Sequence, residues 1–339
     1  MIEIRINSVE RKKIESLHKE YAKKMIAGRL EKILGDKTGE QNKGKVLYFL
    51  KELFGYNERD REKQLVYFCI SDALEKIIGI FEKRFFDSFG FQFRDAKNEE
   101  QKATAEDIAH ILNRIFYYDG FNAGSRIAGQ DGEKHVWNRH RYVVATKVKV
   151  CPYCNRQYIT SYESKDGTEK TTADVDHYYP QSAYPYLQMN IYNMIPSCNI
   201  CNSKAKGSKD ERHLNPYKDS SDSLLFEVLL DNIDMMYSSE IEQIAVNSRG
   251  NPKAIASNEV FKLDKIYQAH LEDVKSLFFH IKEYEAFKED YYTKTMGFDI
   301  GNIFSLWFDF LNDSPLEKPL VKLKRDVFKQ LETYCGIHK

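Results

Sequence analysis

Residues 174–202 read DVDHYYPQSAYPYLQMNIYNMIPSCNICN, and the run CPYC lies upstream at positions 151–154. Together they contain two Cys-x-x-Cys pairs, Cys151 with Cys154 and Cys198 with Cys201, which 43 residues separate. Each pair can place two thiolates on one side of a metal ion, so two pairs complete the tetrahedral set that zinc prefers. Because no ligand position is left open, the predicted zinc is structural and ties the start of a small module to its end. Redox chemistry is the alternative for paired cysteines.

Between the two pairs, Asp176 directly precedes His177, and Asn202 directly follows the last cysteine. Hydrolysis of a phosphodiester needs a base to deprotonate water and a cation to stabilise the phosphate. His177 is the predicted base, because the ordinary pKa of histidine is about 6.5. Asp176 and Asn202 offer the hard oxygen ligands that Mg²⁺ or Mn²⁺ prefers. Asp174, two positions before Asp176 on the same strand face, could bind metal, orient a ligand or face solvent.

These residues resemble the HNH endonuclease superfamily, whose active site is a ββα-metal fold. The resemblance implies that His177 is the general base and that Asp176 and Asn202 bind the catalytic metal. It also implies that Asn193, the middle asparagine, holds the loop between strand and helix. The run DVDHYYPQS and the nine-residue step between the two asparagines are similar to the HNH domain of RNA-guided CRISPR effectors, and the four cysteines match zinc-bearing HNH proteins. This resemblance covers about 60 of the 339 residues.

The order of the whole chain, with the CPYC…DxDH…CxxCN module between two helical regions, is similar to the HNH component of Septu-type anti-phage systems. That component is paired with an ATPase of the SMC or ABC type. The resemblance implies a metal-dependent endonuclease that acts on nucleic acid, DNA above all, as the effector of a defence complex. Two alternatives stay open: a stand-alone endonuclease of the restriction or homing type, and a non-catalytic zinc knuckle that binds nucleic acid or assembles with a partner.

Charge is distributed unevenly along a chain whose formal net charge is zero. Residues 134–218 carry 13 Lys or Arg against 7 Asp or Glu, a net charge of +6, and the remaining chain carries −6. A basic module can attract phosphate locally, although chance unevenness explains the counts equally well. The cations predicted to contact nucleic acid are Lys204, Lys206, Lys209 and Arg156; for the lysines, a solvated helix end is the alternative. No apolar run is long enough for a membrane helix or a signal peptide, so we expect a cytoplasmic protein.

The spacing of apolar residues predicts an α+β fold that is mostly helical. The predicted divisions are a helical region at 1–133, the nuclease module at 134–218 and a helical region at 219–339. A first helix from Ser8 with an apolar stripe should end near Gly35. Further helices are predicted at 46–54, 64–86, 223–236, 264–291, 302–311 and 320–331, and one begins at Thr104 after a polar linker at 95–102. Residues 141–150 are predicted to form a strand or an extended lead into the first cysteine pair. Strands are also predicted at 240–246 and, as a hairpin around the turn sequence 165–167, at 157–162 and 171–175.

The other histidines have structural interpretations. We expect His18, His110, His270 and His280 to pack in helical stripes. His213, in the sequence HLNPY, is predicted to be structural, with an approach to the site as the alternative. Cys69 lies in the apolar run LVYFCI and should be a buried hydrophobic residue.

Overall fold

A computed structural model of the protein describes residues 1–35, 43–129, 132–165, 168–229, 241–289 and 300–335. The α-helices are Ser8–Tyr21, Ala27–Gly35, Lys43–Phe54, Glu58–Ile70, Leu74–Phe89, Glu99–Phe116, Tyr118–Ala123, Arg139–Thr146, Pro252–Phe261, Leu263–Ile266, Leu271–Glu289, Ile300–Trp307 and Val321–Cys335. The strands form antiparallel pairs: Ser125–Ala128 with Lys134–Trp137, Ser161–Glu163 with Glu169–Thr171, Asp174–His177 with Met194–Ser197, and Leu225–Val228 with Ile244–Asn247. Helices thus dominate a mixture with small sheets, as the sequence predicted.

The first helix follows its sequence pattern closely. The side chain of Asn7 caps it by accepting a hydrogen bond from the backbone N–H of Glu10 at 2.9 Å. Its buried residues are Ile14, Leu17, His18 and Tyr21. A π-helical turn at Ala22–Ile26 continues into a helix that ends at Gly35. The predicted stripe and the predicted end are therefore both confirmed.

The strand predicted at 141–150 is wrong, because Arg139–Thr146 is a helix. The alternative, an extended lead into the first cysteine pair, holds only after this helix, where Val150 forms an isolated bridge with Tyr158. Asn138 caps this helix by accepting a hydrogen bond from the backbone N–H of Arg141 at 2.8 Å. Tyr142 and Val143 are buried on its inner side, and the Tyr142 hydroxyl donates to the carbonyl of Ile191 at 2.8 Å. A cap and a buried helical face outweigh the modest strand preference of β-branched residues.

The helix predicted at 223–236 is also wrong over its described part. Leu225–Val228 is a strand that pairs with Ile244–Asn247, and its buried residues, Phe226 and Val228, alternate along it. Residues 230–240 lie outside the described part of the chain. The strand predicted at 240–246 is confirmed in its second half by the partner strand.

Other predicted element boundaries differ from those in the structure. The helix predicted at 64–86 is two helices, because Ser71 between them is extended. The linker predicted at 95–102 ends early, since Asn98 caps a helix that begins at Glu99. The helix predicted at 264–291 is interrupted by a 3₁₀ turn at Tyr267–His270. The predicted hairpin near 157–175 is present as Ser161–Glu163 paired with Glu169–Thr171, although residues 166–167 of its turn are outside the described residues.

Two strands and a helical turn position the candidate site. Asp174–His177 and Met194–Ser197, here called the site strands, pair so that Asp176 faces Ile195 and His177 faces Met194. A seven-residue π-helical turn, Ile200–Lys206, follows and is here called the site helix. Its wide turn closes with a hydrogen bond from the N–H of Gly207 to the carbonyl of Asn202 at 2.7 Å, and Gly207 has the positive φ of +55° that ends the helix.

Both flanking regions dock on this module. From the N-terminal region, the carbonyl of Cys69 accepts the N–H of Ile191 at 2.9 Å, in the loop between the site strands. From the C-terminal region, the N–H of Leu320 donates to the carbonyl of Asn155 at 2.7 Å, just after the first cysteine pair. Buried residues from all three predicted divisions join one hydrophobic core, and the division into regions stays a prediction.

None of the helices in the described ranges combines the length and the apolar character that crossing a membrane requires.

Candidate metal centre and adjoining polar site

The four paired cysteines come together as the sequence predicted. Their sulfur atoms all lie within 4.8 Å of one another, and all four residues are buried. Shared hydrogen bonds, first of all with Cys151, hold the pKa of the Cys154 thiol well below its usual value. A buried tetrad of thiols at this spacing could bind a metal ion such as zinc.

Asp176 lies beside this cluster with its side chain almost fully buried, at 2% exposure. Its Oδ2 accepts a hydrogen bond from the hydroxyl of Tyr153 at 2.6 Å, within the first cysteine turn. Its Oδ1 accepts from the ammonium of Lys206 at 2.8 Å, and that ammonium also donates to the carbonyl of His177 at 2.6 Å. Both carboxylate oxygens are therefore hydrogen-bonded within the protein.

Lys206 corrects one expectation from the sequence. The side chain is 1% exposed and its charge is paired with Asp176, so it is not a surface cation that reaches nucleic acid. A buried ammonium needs a carboxylate partner. The site helix places the ammonium of Lys206 against Asp176 on the first site strand.

His177 is buried under the helical region, with its ring edge-on to Tyr118 at a centroid distance of 4.7 Å. Its Nε2 lies 2.8 Å from the carbonyl oxygen of Gln188. Nε2 also lies 3.2 Å from the amide nitrogen of Gln181. The shorter contact decides the tautomer: a carbonyl can only accept, so Nε2 carries the hydrogen, the Gln181 amide does not donate to it, and Nδ1 keeps the lone pair. Burial lowers the pKa of His177 to about 4, against the smaller opposing effect of the Gln188 carbonyl. The ring is thus neutral at neutral pH.

Asn193 is fully buried at the start of the second site strand. Its Oδ1 accepts from the N–H of Tyr179 at 2.8 Å, and its Nδ2 donates to the carbonyls of Tyr179 at 3.1 Å and Leu187 at 3.2 Å. The side chain therefore holds the loop between the two site strands, and not the loop between strand and helix that the resemblance implied.

Asn202 is half-buried on the site helix. Its Nδ2 donates to the carboxylate of Asp174 at 3.2 Å, and Asn199 donates to the same oxygen at 3.0 Å. A carboxylate can only accept, so this contact turns the Asn202 amide with Oδ1 directed away from Asp174. Three interpretations of Asp174 were open: binding metal, orienting a ligand or facing solvent. The hydrogen bond to Asn202 matches the second, because Asp174 orients the side chain of Asn202.

One open cavity brings the three motif residues together. It has a volume of about 400 Å³. Its lining includes Asp176, His177, Asn202, Tyr118, Asp119 and Gln181. Carboxylate, imidazole and amide groups therefore border a single space that a ligand can enter.

The other cations predicted to contact nucleic acid, Arg156, Lys204 and Lys209, do not line the cavity. Arg156 donates from Nε to Nε2 of His270 at 2.8 Å, so its guanidinium is engaged on the C-terminal region. Lys209 donates to the carbonyl of Ala205 at 3.1 Å, and Lys204 is exposed. The structure thus leaves Lys204, on the site helix, and Lys209, just beyond it, at the surface.

The remaining histidines are mostly structural. His18 is fully buried between Trp137 and the Met189 carbonyl, and His280 stacks on Trp307 at 5.6 Å. The packing prediction is wrong for His110, which is exposed. His213 is buried among aromatic rings near the site, including Tyr178 at 4.8 Å and Tyr153 at 5.4 Å.

The sequence interpretation missed Tyr153, Tyr118 and Gln188 as site residues. Tyr153 had a signal, since it lies inside the CPYC run. Tyr118 comes from a distant helix and Gln188 acts through its backbone, and neither carries a local pattern that could have identified it.

Fold and site together describe a mostly helical chain with a buried four-cysteine cluster suited to a metal ion. Among curated proteins, it is similar to the Septu protein PtuB of Bacillus thuringiensis, with 31% identity over 102 residues. The alignment covers 29% of this chain and 36% of that protein, so the chain spans about a third of the relative's length. No protein-family model matches the chain. No solved structure matches it either.

Proposed function

We propose that this protein is an HNH-type endonuclease that hydrolyses phosphodiester bonds in nucleic acid, with DNA as the favoured substrate. We further propose that it acts in a Septu-type anti-phage defence complex with an ATPase partner. One observation carries the enzymatic part: Asp176, His177 and Asn202 border one open cavity beside the cysteine cluster. The partial similarity to Septu protein PtuB supports the role in defence.

His177 is assigned the base. With Nε2 donating to the Gln188 carbonyl, Nδ1 is the atom that can take a proton from water. Its low pKa, due to burial, keeps this atom unprotonated at neutral pH. The negative charge of a bound phosphate would raise that pKa toward the range in which a general base is effective.

Asp176 and Asn202 are the residues that would hold a catalytic divalent cation. The fit rests on donor chemistry: Asn202 has Oδ1 free of Asp174, and each oxygen of Asp176 keeps a second lone pair beside its one hydrogen bond. Mg²⁺ or Mn²⁺ bound there would stabilise the negative charge of the scissile phosphate and its leaving oxygen. Zinc on the four thiolates would hold the two cysteine turns in place.

A second candidate function is a zinc knuckle that binds nucleic acid or a partner without cleaving. The observation that favours it is the buried pair of Asp176 and Lys206, in which the carboxylate already has a cation. This candidate predicts binding to nucleic acid without any metal-dependent cleavage.

A nicking assay on supercoiled plasmid separates the two candidates. The purified protein, alone and with its ATPase partner, is assayed with Mg²⁺ or Mn²⁺ and with a chelator. His177→Ala should lower the nicking rate by about 10²–10⁴ while leaving fold and nucleic-acid binding intact, because it removes the base and no metal ligand. His110→Ala is the matched control, since His110 is an exposed helical histidine. A His177→Ala protein that nicks at the wild-type rate would disprove the assignment and leave the binding candidate.

A further inference from the structure

Lys206 provides the charge that compensates Asp176. The two side chains are 1% and 2% exposed, and Nζ lies 2.8 Å from Oδ1. The other partner of the carboxylate, the Tyr153 hydroxyl, is neutral. The ion pair is therefore electrically balanced before any ligand arrives.

This charge balance should weaken the binding of a divalent cation at Asp176. The cation would approach a carboxylate whose charge is already cancelled, close to an ammonium of the same sign. Repulsion between like charges is strong where water is excluded, and screening by salt is weak there. Asn202 adds a neutral oxygen and so does not change the charge of the pair itself.

We propose that Lys206 is a resident cation that keeps divalent metal off Asp176 until a phosphodiester enters the cavity. The proposal rests on the proposed function and adds a regulatory feature to it. A bound phosphodiester adds one negative charge beside the cavity wall that Asp176 and Asn202 form. Metal and nucleic acid therefore bind cooperatively, and metal binds weakly to the free protein.

The site helix offers a matched pair of lysines for the test. Lys206→Gln removes the charge at Asp176 and keeps a donor for the His177 carbonyl. Lys204→Gln removes the same charge two residues away, from an exposed side chain. Lys206→Arg keeps the charge in place.

Mn²⁺ binding to each purified protein, without nucleic acid, can be measured by electron paramagnetic resonance of the free ion. Lys206→Gln should bind Mn²⁺ about tenfold more tightly than wild type, while Lys204→Gln and Lys206→Arg should match wild type. Asp176→Asn should lose this binding, which locates the ion. Thermal melting checks that each variant is folded.

A second measurement uses wild type alone and holds even if Lys206→Gln does not fold. Saturating dimethyl phosphate, a phosphodiester monoanion, should tighten Mn²⁺ binding by about tenfold. Equal Mn²⁺ affinity in a folded Lys206→Gln and in wild type would overturn the resident-cation proposal and leave the proposed nuclease standing. So would wild-type Mn²⁺ affinity that dimethyl phosphate does not change. Absence of Mn²⁺ binding in every variant, with dimethyl phosphate present, would overturn both.

Discussion

Cys198→Ser tests how much the fold depends on the cysteine cluster. Ideal zinc–thiolate bonds of about 2.3 Å place the sulfurs of a tetrahedron about 3.8 Å apart. The four sulfurs already lie within 4.8 Å of one another, so each needs to move by less than about 1 Å to bind zinc. With so little rearrangement to oppose it, zinc should contribute much of the ~10–16 kcal/mol known for structural sites.

The loss should spread beyond the cluster, because contacts from both flanking regions depend on the first cysteine turn. The N–H of Ile2 donates to the carbonyl of Pro152 at 2.7 Å, and Leu320 docks on Asn155. We therefore expect Cys198→Ser to lose most of its zinc and to become sensitive to protease across 151–204.

Elemental analysis of protein purified without added metal, combined with limited proteolysis, measures both effects. Wild type should contain about one zinc per chain. Cys69→Ser is the control, since Cys69 is a buried thiol outside the cluster. If Cys198→Ser keeps its zinc and the digestion pattern of wild type, the structural role assigned to the cluster is wrong.

Burial lowers the pKa of His18 to about 4, so its contribution to stability is complete above pH ~6.5 and is lost as the pH falls toward 4. Chemical denaturation should show a loss of about 2 kcal/mol from His18 alone between pH 7 and pH 5, and a flat profile would contradict this. Asn202→Ala should lower nicking by weakening metal affinity, so raised Mn²⁺ should restore part of the rate, whereas His177→Ala should not respond; identical metal titrations would refute the distinction. The flanks at 1–133 and 219–339, of which 219–339 holds the acidic excess with 21 Asp or Glu against 14 Lys or Arg, should dock a partner. The protein and the proposed ATPase partner should therefore co-elute in size-exclusion chromatography at micromolar concentration, and separate elution with and without ATP would argue against the pairing.

The sequence alone was sufficient for features whose signal is local. Two Cys-x-x-Cys turns predict a four-thiolate cluster because each turn has its own geometry, and the structure brings all four sulfurs together. The stripe from Ile14 to Tyr21 predicted a helix face for the same reason. The resemblance carried by Asp176, His177 and Asn202 implied one shared site; that site stays a prediction, and the three residues border one cavity.

Tertiary contacts decided the features in which local preference is weak or misleading. The apolar, β-branched run after Arg141 reads as a strand, yet an asparagine cap and one buried face make it a helix. The run at 225–228 became a strand because a partner strand from 244–247 pairs with it. Which distant segment a strand pairs with cannot be read from either segment alone.

The charge state of the site is the clearest case of tertiary control. In the sequence, Lys206 is one of several lysines after Asn202, and nothing separates it from Lys204. The wide turn of the site helix places Lys206 inward on Asp176 and leaves Lys204 in solvent. A difference of two positions along the site helix therefore decides which lysine becomes the counter-ion of the site and which stays on the surface, because a buried ammonium is stable only where a carboxylate meets it.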